Sequence, residues 1–181
     1  MEILFLIVIL IFSIVIHEVS HGATANYLGD PTAKNAGRLT LNPLKHLDPV
    51  GSLMLPVLLI LTTGTGIGWA KPVPINPLNF RDQKYGSFKT ALAGPAANLA
   101  IALVFGLIVR FSFNLLPTSL IQMFGYIVFI NILLAVFNLI PIPPLDGSHL
   151  LFVFLPYSMQ NIKIFLTQFG FFILIFLLFF F

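Results

Sequence analysis

The pentad His17-Glu18-Val19-Ser20-His21 sets two imidazoles and a carboxylate close together in the chain. On a helix, positions i and i+4 lie about 40° apart in projection, so both rings can reach one ion. The Glu between them sits beside that ion and can take a proton from water that the metal activates, the arrangement of zinc-dependent peptide hydrolysis. The sequence has no Cys, which excludes thiolate ligands, disulfide staples and a cysteine nucleophile. Any metal must be held by His, Asp or Glu, and two His leave a zinc site one protein ligand short. His46, Asp48, Asp146 and His149 are the candidates for the third place. Asp146 stands in the break Asn138-Leu-Ile-Pro-Ile-Pro-Pro-Leu-Asp-Gly147, and irregular backbone at membrane depth is tolerated only where it is buried or lines a wet cavity. Asp-Gly is equally at home in a turn or at a helix N-cap, and the residues alone leave both readings of Asp146 open.

The elements that must position these groups are membrane helices. Of 181 residues 58% are hydrophobic and only 8% charged, against roughly a quarter charged in a soluble domain. Water would not solvate such a surface, and lipid does. The chain therefore reads as an all-α polytopic membrane protein, one integral-membrane domain over residues 1–181. Apolar runs from about Ile3 to Leu28, Thr90 to Phe113, Leu120 to Leu139 and Ile162 to Phe181 are each long enough to cross a bilayer. The first opens Met-Glu without a basic n-region and reads as a retained helix rather than a cleaved signal. It ends at Gly29-Asp30-Pro31, where Gly can cap and Pro cannot continue. Val50–Thr63 is short and interrupted by Pro56, so it is expected to dip in and return. The Pro-rich stretch after it, like Gly37–Pro43, favours short extended strands over helix. The net charge of +3 sits in short loops, which fits membrane orientation and not a nucleic-acid footprint. The basic stretches Thr32–Pro49 and Trp69–Lys89 belong on the cytoplasmic side by the same rule. Ser13, His17, Ser20, His21 and Thr24 form one polar stripe on the first helix, so it must face a cavity or the bundle interior. The bland alternative is a polar seam that only glues helices together.

Three motifs together carry a resemblance: His17-Glu-Val-Ser-His21, Ala93-Gly-Pro-Ala-Ala-Asn98 and Asn138-Leu-Ile-Pro-Ile-Pro-Pro-Leu-Asp-Gly147. With Gly37-Arg-Leu-Thr-Leu-Asn-Pro43, His46-Leu-Asp-Pro49 and Gly68-Trp-Ala-Lys-Pro-Val-Pro74 they make the chain similar to the site-2 protease family of intramembrane zinc metalloproteases. The likeness runs from Ile16 to about Leu150 and is closest to the short prokaryotic members without a PDZ domain. It implies that His17, His21 and Asp146 bind one zinc ion per chain and that Glu18 is the catalytic base. It also implies a hydrolase that cleaves peptide bonds within or near membrane segments of other proteins; with the charge bias above, the chain is expected in the cell membrane with its site opening toward the cytoplasm.

Other residues carry lighter assignments. Asn98 is a candidate for a substrate backbone or an oxyanion, with helix-to-helix bonding as the alternative, and Asn138 is a candidate for the substrate or the cavity. His46 and His149 read as turn or interface residues; Trp69, Tyr27 and Tyr85 suit the interfacial belt. A metal or proton transporter would also place ionisable groups at membrane depth, but no internal repeat of the transporter kind is visible. A catalytically inactive adaptor would have no use for Glu18. The sequence is silent on oligomeric state.

Overall fold

The computed structural model describes residues 2–48, 71–112 and 115–180; the expected re-entrant segment Val50–Thr63, like Trp69, lies outside the described residues. The main helices are α1 (Glu2–Tyr27), α3 (Gly86–Ser112), α4 (Thr118–Asn138) and α6 (Gln160–Phe180). Shorter ones are α2 (Thr32–Asn35) and α5 (Asp146–Phe154), with 3₁₀ turns at Pro43–His46, Pro77–Asn79 and Tyr157–Met159. Among the described residues, four helices are long and apolar enough to cross a membrane: Ile3–Tyr27, Gly86–Ser112, Thr118–Asn138 and Tyr157–Leu178. These follow the apolar runs of the sequence. The second of those runs, which forms α3, starts as helix earlier than its apolar stretch, because Asp82 accepts from the Tyr85 N–H at 2.9 Å and pairs with Lys89 at 2.7 Å.

The bundle is dressed for lipid. Leu103 is 63% exposed, Leu133 54% and Phe172 66%, while Ser13, His17, His21, Asn98 and Asn131 are all buried. Apolar side chains outside and polar ones inside invert the order that water imposes, and the polar groups survive there because each finds a partner. The chain is a multi-pass membrane protein. Helix α3 is the centre, packed on α1, α4 and α5. Its buried face is small, with Ala91, Gly94, Pro95, Asn98 and Ala102, so backbones approach closely as membrane helices require. The facing side of α1 buries Ile9, Ser13, His17, His21 and Ala25 at four-residue intervals.

Where α1 ends, Gly29 takes φ 110° and the chain turns into α2. The carboxylate of Asp30 is fully buried there and accepts from the Thr32 N–H and hydroxyl, the Asn76 N–H at 2.7 Å and the Asn79 amide at 2.8 Å. This knot ties the extended segment Lys71–Asn76 to the end of α1. Arg38 adds a clamp, donating to the carbonyl of Lys71 at 2.7 Å, and the Lys71 N–H donates to His46 O at 2.9 Å. No strand forms among the described residues; Pro72, Pro74 and Pro77 lack the N–H donors a ladder needs.

Burial raises the Asp30 carboxyl pKa, but the four donors outweigh it and hold the group below its ordinary value. A depressed folded pKa stabilises above the unfolded value of about 3.9 and stops doing so as pH falls through the folded one. Asp30→Asn is therefore expected to lower Tm at pH 7 by about 2–4 °C, the loss of roughly one charge-assisted bond. The two proteins should converge on acidification, and thermal unfolding in detergent across pH checks it. A gap that persists at the acid end would mean the carboxylate charge contributes nothing.

Candidate active site and metal centre

His17 and His21 stand one turn apart on α1, and both rings project toward α3 and the break before α5. Their Nε2 atoms are 3.0 Å apart. Asp146 Oδ2 closes the figure at 3.1 Å from His17 Nε2 and 3.2 Å from His21 Nε2. The outer ends of both rings are engaged: His17 Nδ1 meets Asn98 Oδ1 at 2.6 Å, and His21 Nδ1 meets the Thr90 carbonyl at 2.6 Å. An oxygen acceptor on Nδ1 means that nitrogen carries the proton, so in the neutral ring each Nε2 turns a bare lone pair inward.

Two lone pairs and a carboxylate oxygen thus converge with no hydrogen between them. Asp146 Oδ2 is buried and has no hydrogen-bond partner despite those short distances. Such a triangle repels itself unless a cation sits against it. Tetrahedral zinc with bonds of about 2.0–2.1 Å separates its ligand atoms by about 3.3 Å, close to all three edges here. Borderline nitrogen and hard oxygen donors also suit zinc. The donor set fits the metal, and His17, His21 and Asp146 are the residues that would hold it.

The backbone explains why these groups meet. Leu145 is the N-cap of α5 and Asp146 its first residue, with no side-chain cap bond. Asp146 is therefore not the cap, and its carboxylate is left for the His pair. Gly147 lets that helix end approach, since a Cβ there would press within 2.5 Å of the Ile140 carbonyl. Gly94 of α3 does the same for the rings: a Cβ would lie 2.6 Å from His17 Nε2 and closer still to His21 Nε2.

Glu18 lies beside the triangle, and its Oε2 accepts from the Val73 N–H at 2.8 Å. With His17, His21 and Asp146 it lines a cleft of about 380 Å³, whose walls include Val73, Ile75, Asn138 and His149.

The profile described as "Peptidase family M50" matches residues 113–177, which include Asp146. "Putative zinc metalloprotease YwhC" of Bacillus subtilis is 38% identical over 81% of this chain and 67% of its own length. "Putative zinc metalloprotease Rip2" of Mycolicibacterium smegmatis is 35% identical over 93% of this chain and 64% of its own length. "Putative zinc metalloprotease MJ0611" of Methanocaldococcus jannaschii is 48% identical over 35% of this chain. The chain belongs to peptidase family M50. A match over 93% of 181 residues must run through both the His17–His21 pentad and Asp146. The chain spans about two thirds of the length of these first two relatives. No solved structure matches. As an M50 peptidase the chain is a membrane zinc metalloprotease, and the transporter and adaptor readings are not favoured.

Not every candidate residue of this M50 chain faces the cleft. Asn138 does, its amide tied back to Leu134 O at 2.9 Å. Asn98 lies behind His17 instead, fully buried, with both ends of its amide bonded. His46 is buried away from the triangle, its Nε2 on Thr40 O at 2.9 Å. His149, one of the third-ligand candidates of the sequence, lies one turn past Asp146 on α5 and lines the cleft without joining the three converging donors. The roles of Gly94, Thr90 and Val73 were missed, because each acts through backbone or through lack of a side chain.

Proposed function

We propose that residues 1–181 act as one integral-membrane domain hydrolysing peptide bonds within or beside the membrane segments of other proteins. His17, His21 and Asp146 hold the zinc ion, and Glu18 is the base. The observation that carries this is the inward-facing triangle of His17 Nε2, His21 Nε2 and Asp146 Oδ2 beside Glu18. At about 1.5 Å per residue, His21 and His17 lie roughly 9 and 15 Å below the Tyr27 end of α1, inside the hydrocarbon.

Zinc bound there supplies Lewis-acid polarisation of the scissile carbonyl and acidifies water enough for attack near neutral pH. Glu18 takes the proton of the attacking water and delivers it to the leaving amine. The Val73 N–H fixes one carboxylate oxygen of Glu18, so the base is oriented before substrate arrives. Asn138 and His149 contribute polar atoms to the cleft wall for the substrate backbone. A substrate helix shields its own peptide bonds and must unwind locally to enter, which favours helix-breaking residues at the cleavage point.

Orientation follows from charge. Lys34, Arg38, Lys45, Lys71, Arg81, Lys84 and Lys89 all fall between the end of α1 and the first turn of α3. The positive-inside rule then puts this end, and the mouth of the cleft, at the cytoplasmic face of the cell membrane.

The test pairs metal with activity. Purified wild type should hold about one zinc per chain and cleave a single-span reporter in liposomes, with chelation stopping cleavage and zinc restoring it. Asp146→Ala should lose most of the zinc and the cleavage together. Wild-type zinc content in Asp146→Ala would place the third ligand elsewhere, and a zinc-free wild type would overturn the reading.

A further inference from the structure

An Asn amide has nearly the same shape both ways round, so its neighbours decide which end is oxygen. In this bundle one chain of bonds makes that decision at every link. The Asn131 amide nitrogen donates to Ile127 O at 2.9 Å, and a carbonyl can only accept. It also donates to Ser13 Oγ at 3.0 Å. Asn131 must therefore turn its Oδ1 to Asn98, whose Nδ2 donates to it at 2.8 Å. Asn98 Nδ2 also reaches the Ser13 carbonyl at 3.3 Å, again an obligate acceptor. What is left for His17 is Asn98 Oδ1, at 2.6 Å. His17 then has to carry its proton on Nδ1, leaving Nε2 bare toward Asp146.

We infer that Asn131, a residue of α4 outside the donor triangle, is a positioning residue for the zinc site. Through Asn98 it holds His17 in the one tautomer that can bind metal. Both Asn side chains are fully buried, where an unpaired amide is costly and a lost partner is felt in full. His21 needs no such relay, since the Thr90 carbonyl holds it directly. The inference rests on the triangle being a zinc site. Outer partners of ligating His typically change metal affinity about 10- to 100-fold.

A role as helix glue alone makes different predictions, because it needs the Asn98–Asn131 bond and not the oxygen facing His17. Asn98→Asp keeps an acceptor on His17 and gives up the donor to Asn131. The experiment is chelator competition for zinc on the purified full chain in detergent, with ¹⁵N-histidine spectra of the metal-free protein reporting the protonated ring nitrogen. Positioning predicts that Asn131→Leu and Asn98→Leu weaken zinc about 10- to 100-fold with His17 mixed between tautomers. Asn98→Asp should stay within a few-fold of wild type. Wild-type zinc affinity in Asn131→Leu, or Asn98→Asp as damaged as Asn98→Leu, overturns the inference. If Asn131→Leu does not fold, the Asn98 pair decides alone. A wild type without zinc would instead overturn the proposed function, and the two failures are distinct.

Discussion

Glu18→Gln is expected to lower reporter cleavage by about 10²–10⁴-fold, the range general-base removal costs, and to leave zinc content at the wild-type level. The substitution is nearly isosteric. Its side-chain carbonyl can still accept the Val73 N–H that Oε2 accepts at 2.8 Å, so the extended segment Lys71–Asn76 keeps that anchor. Glu18 is not one of the three converging donors, so the metal loses nothing. What disappears is basicity alone. Zinc by elemental analysis and cleavage in liposomes, measured on the same preparation, separate the two quantities. Cleavage near the wild-type rate would remove Glu18 from the mechanism, and loss of zinc would mean it supports the metal site.

Gly94→Ala should show the opposite dissociation, a sound helix with a ruined site. Ala in place of Gly favours a helix interior by about 1 kcal/mol, so α3 itself gains. The new methyl would sit 2.6 Å from both Nε2 and Cε1 of His17, and nearer to His21 Nε2. The rings cannot both retreat, because Asn98 and Thr90 hold them from behind at 2.6 Å. Zinc affinity is expected to fall by about 100-fold or more, at or beyond the upper end of what an outer partner costs. The overpacked contact costs about 1–3 kcal/mol of stability, partly offset by the gain in helix propensity. Retained zinc would show that the ion site lies away from the Gly94 face.

Much of this was legible in the chain. Hydropathy located the membrane helices, because lipid selects on local composition and a run of apolar residues needs no partner to declare itself. Spacing placed His17, Glu18 and His21 together, since i and i+4 are neighbours on any helix whatever packs against it. Asp146 was different. Its residues allowed a ligand or an N-cap, the family resemblance favoured the ligand, and the backbone gave the cap position to Leu145.

The sequence by itself determined the lipid-facing helices, the zinc-type pentad and the absence of any thiolate ligand. Tertiary structure decided which atoms of distant helices meet: Asn98 behind His17, Thr90 behind His21, Gly94 against both rings and Val73 on Glu18. The reason is geometric. Each residue turns a helix by about 100°, so local pattern tells which side chains share a face. Which faces then meet depends on how each helix rotates and slides against its neighbours, and close packing of small residues on α3 makes that choice only once the whole bundle is assembled.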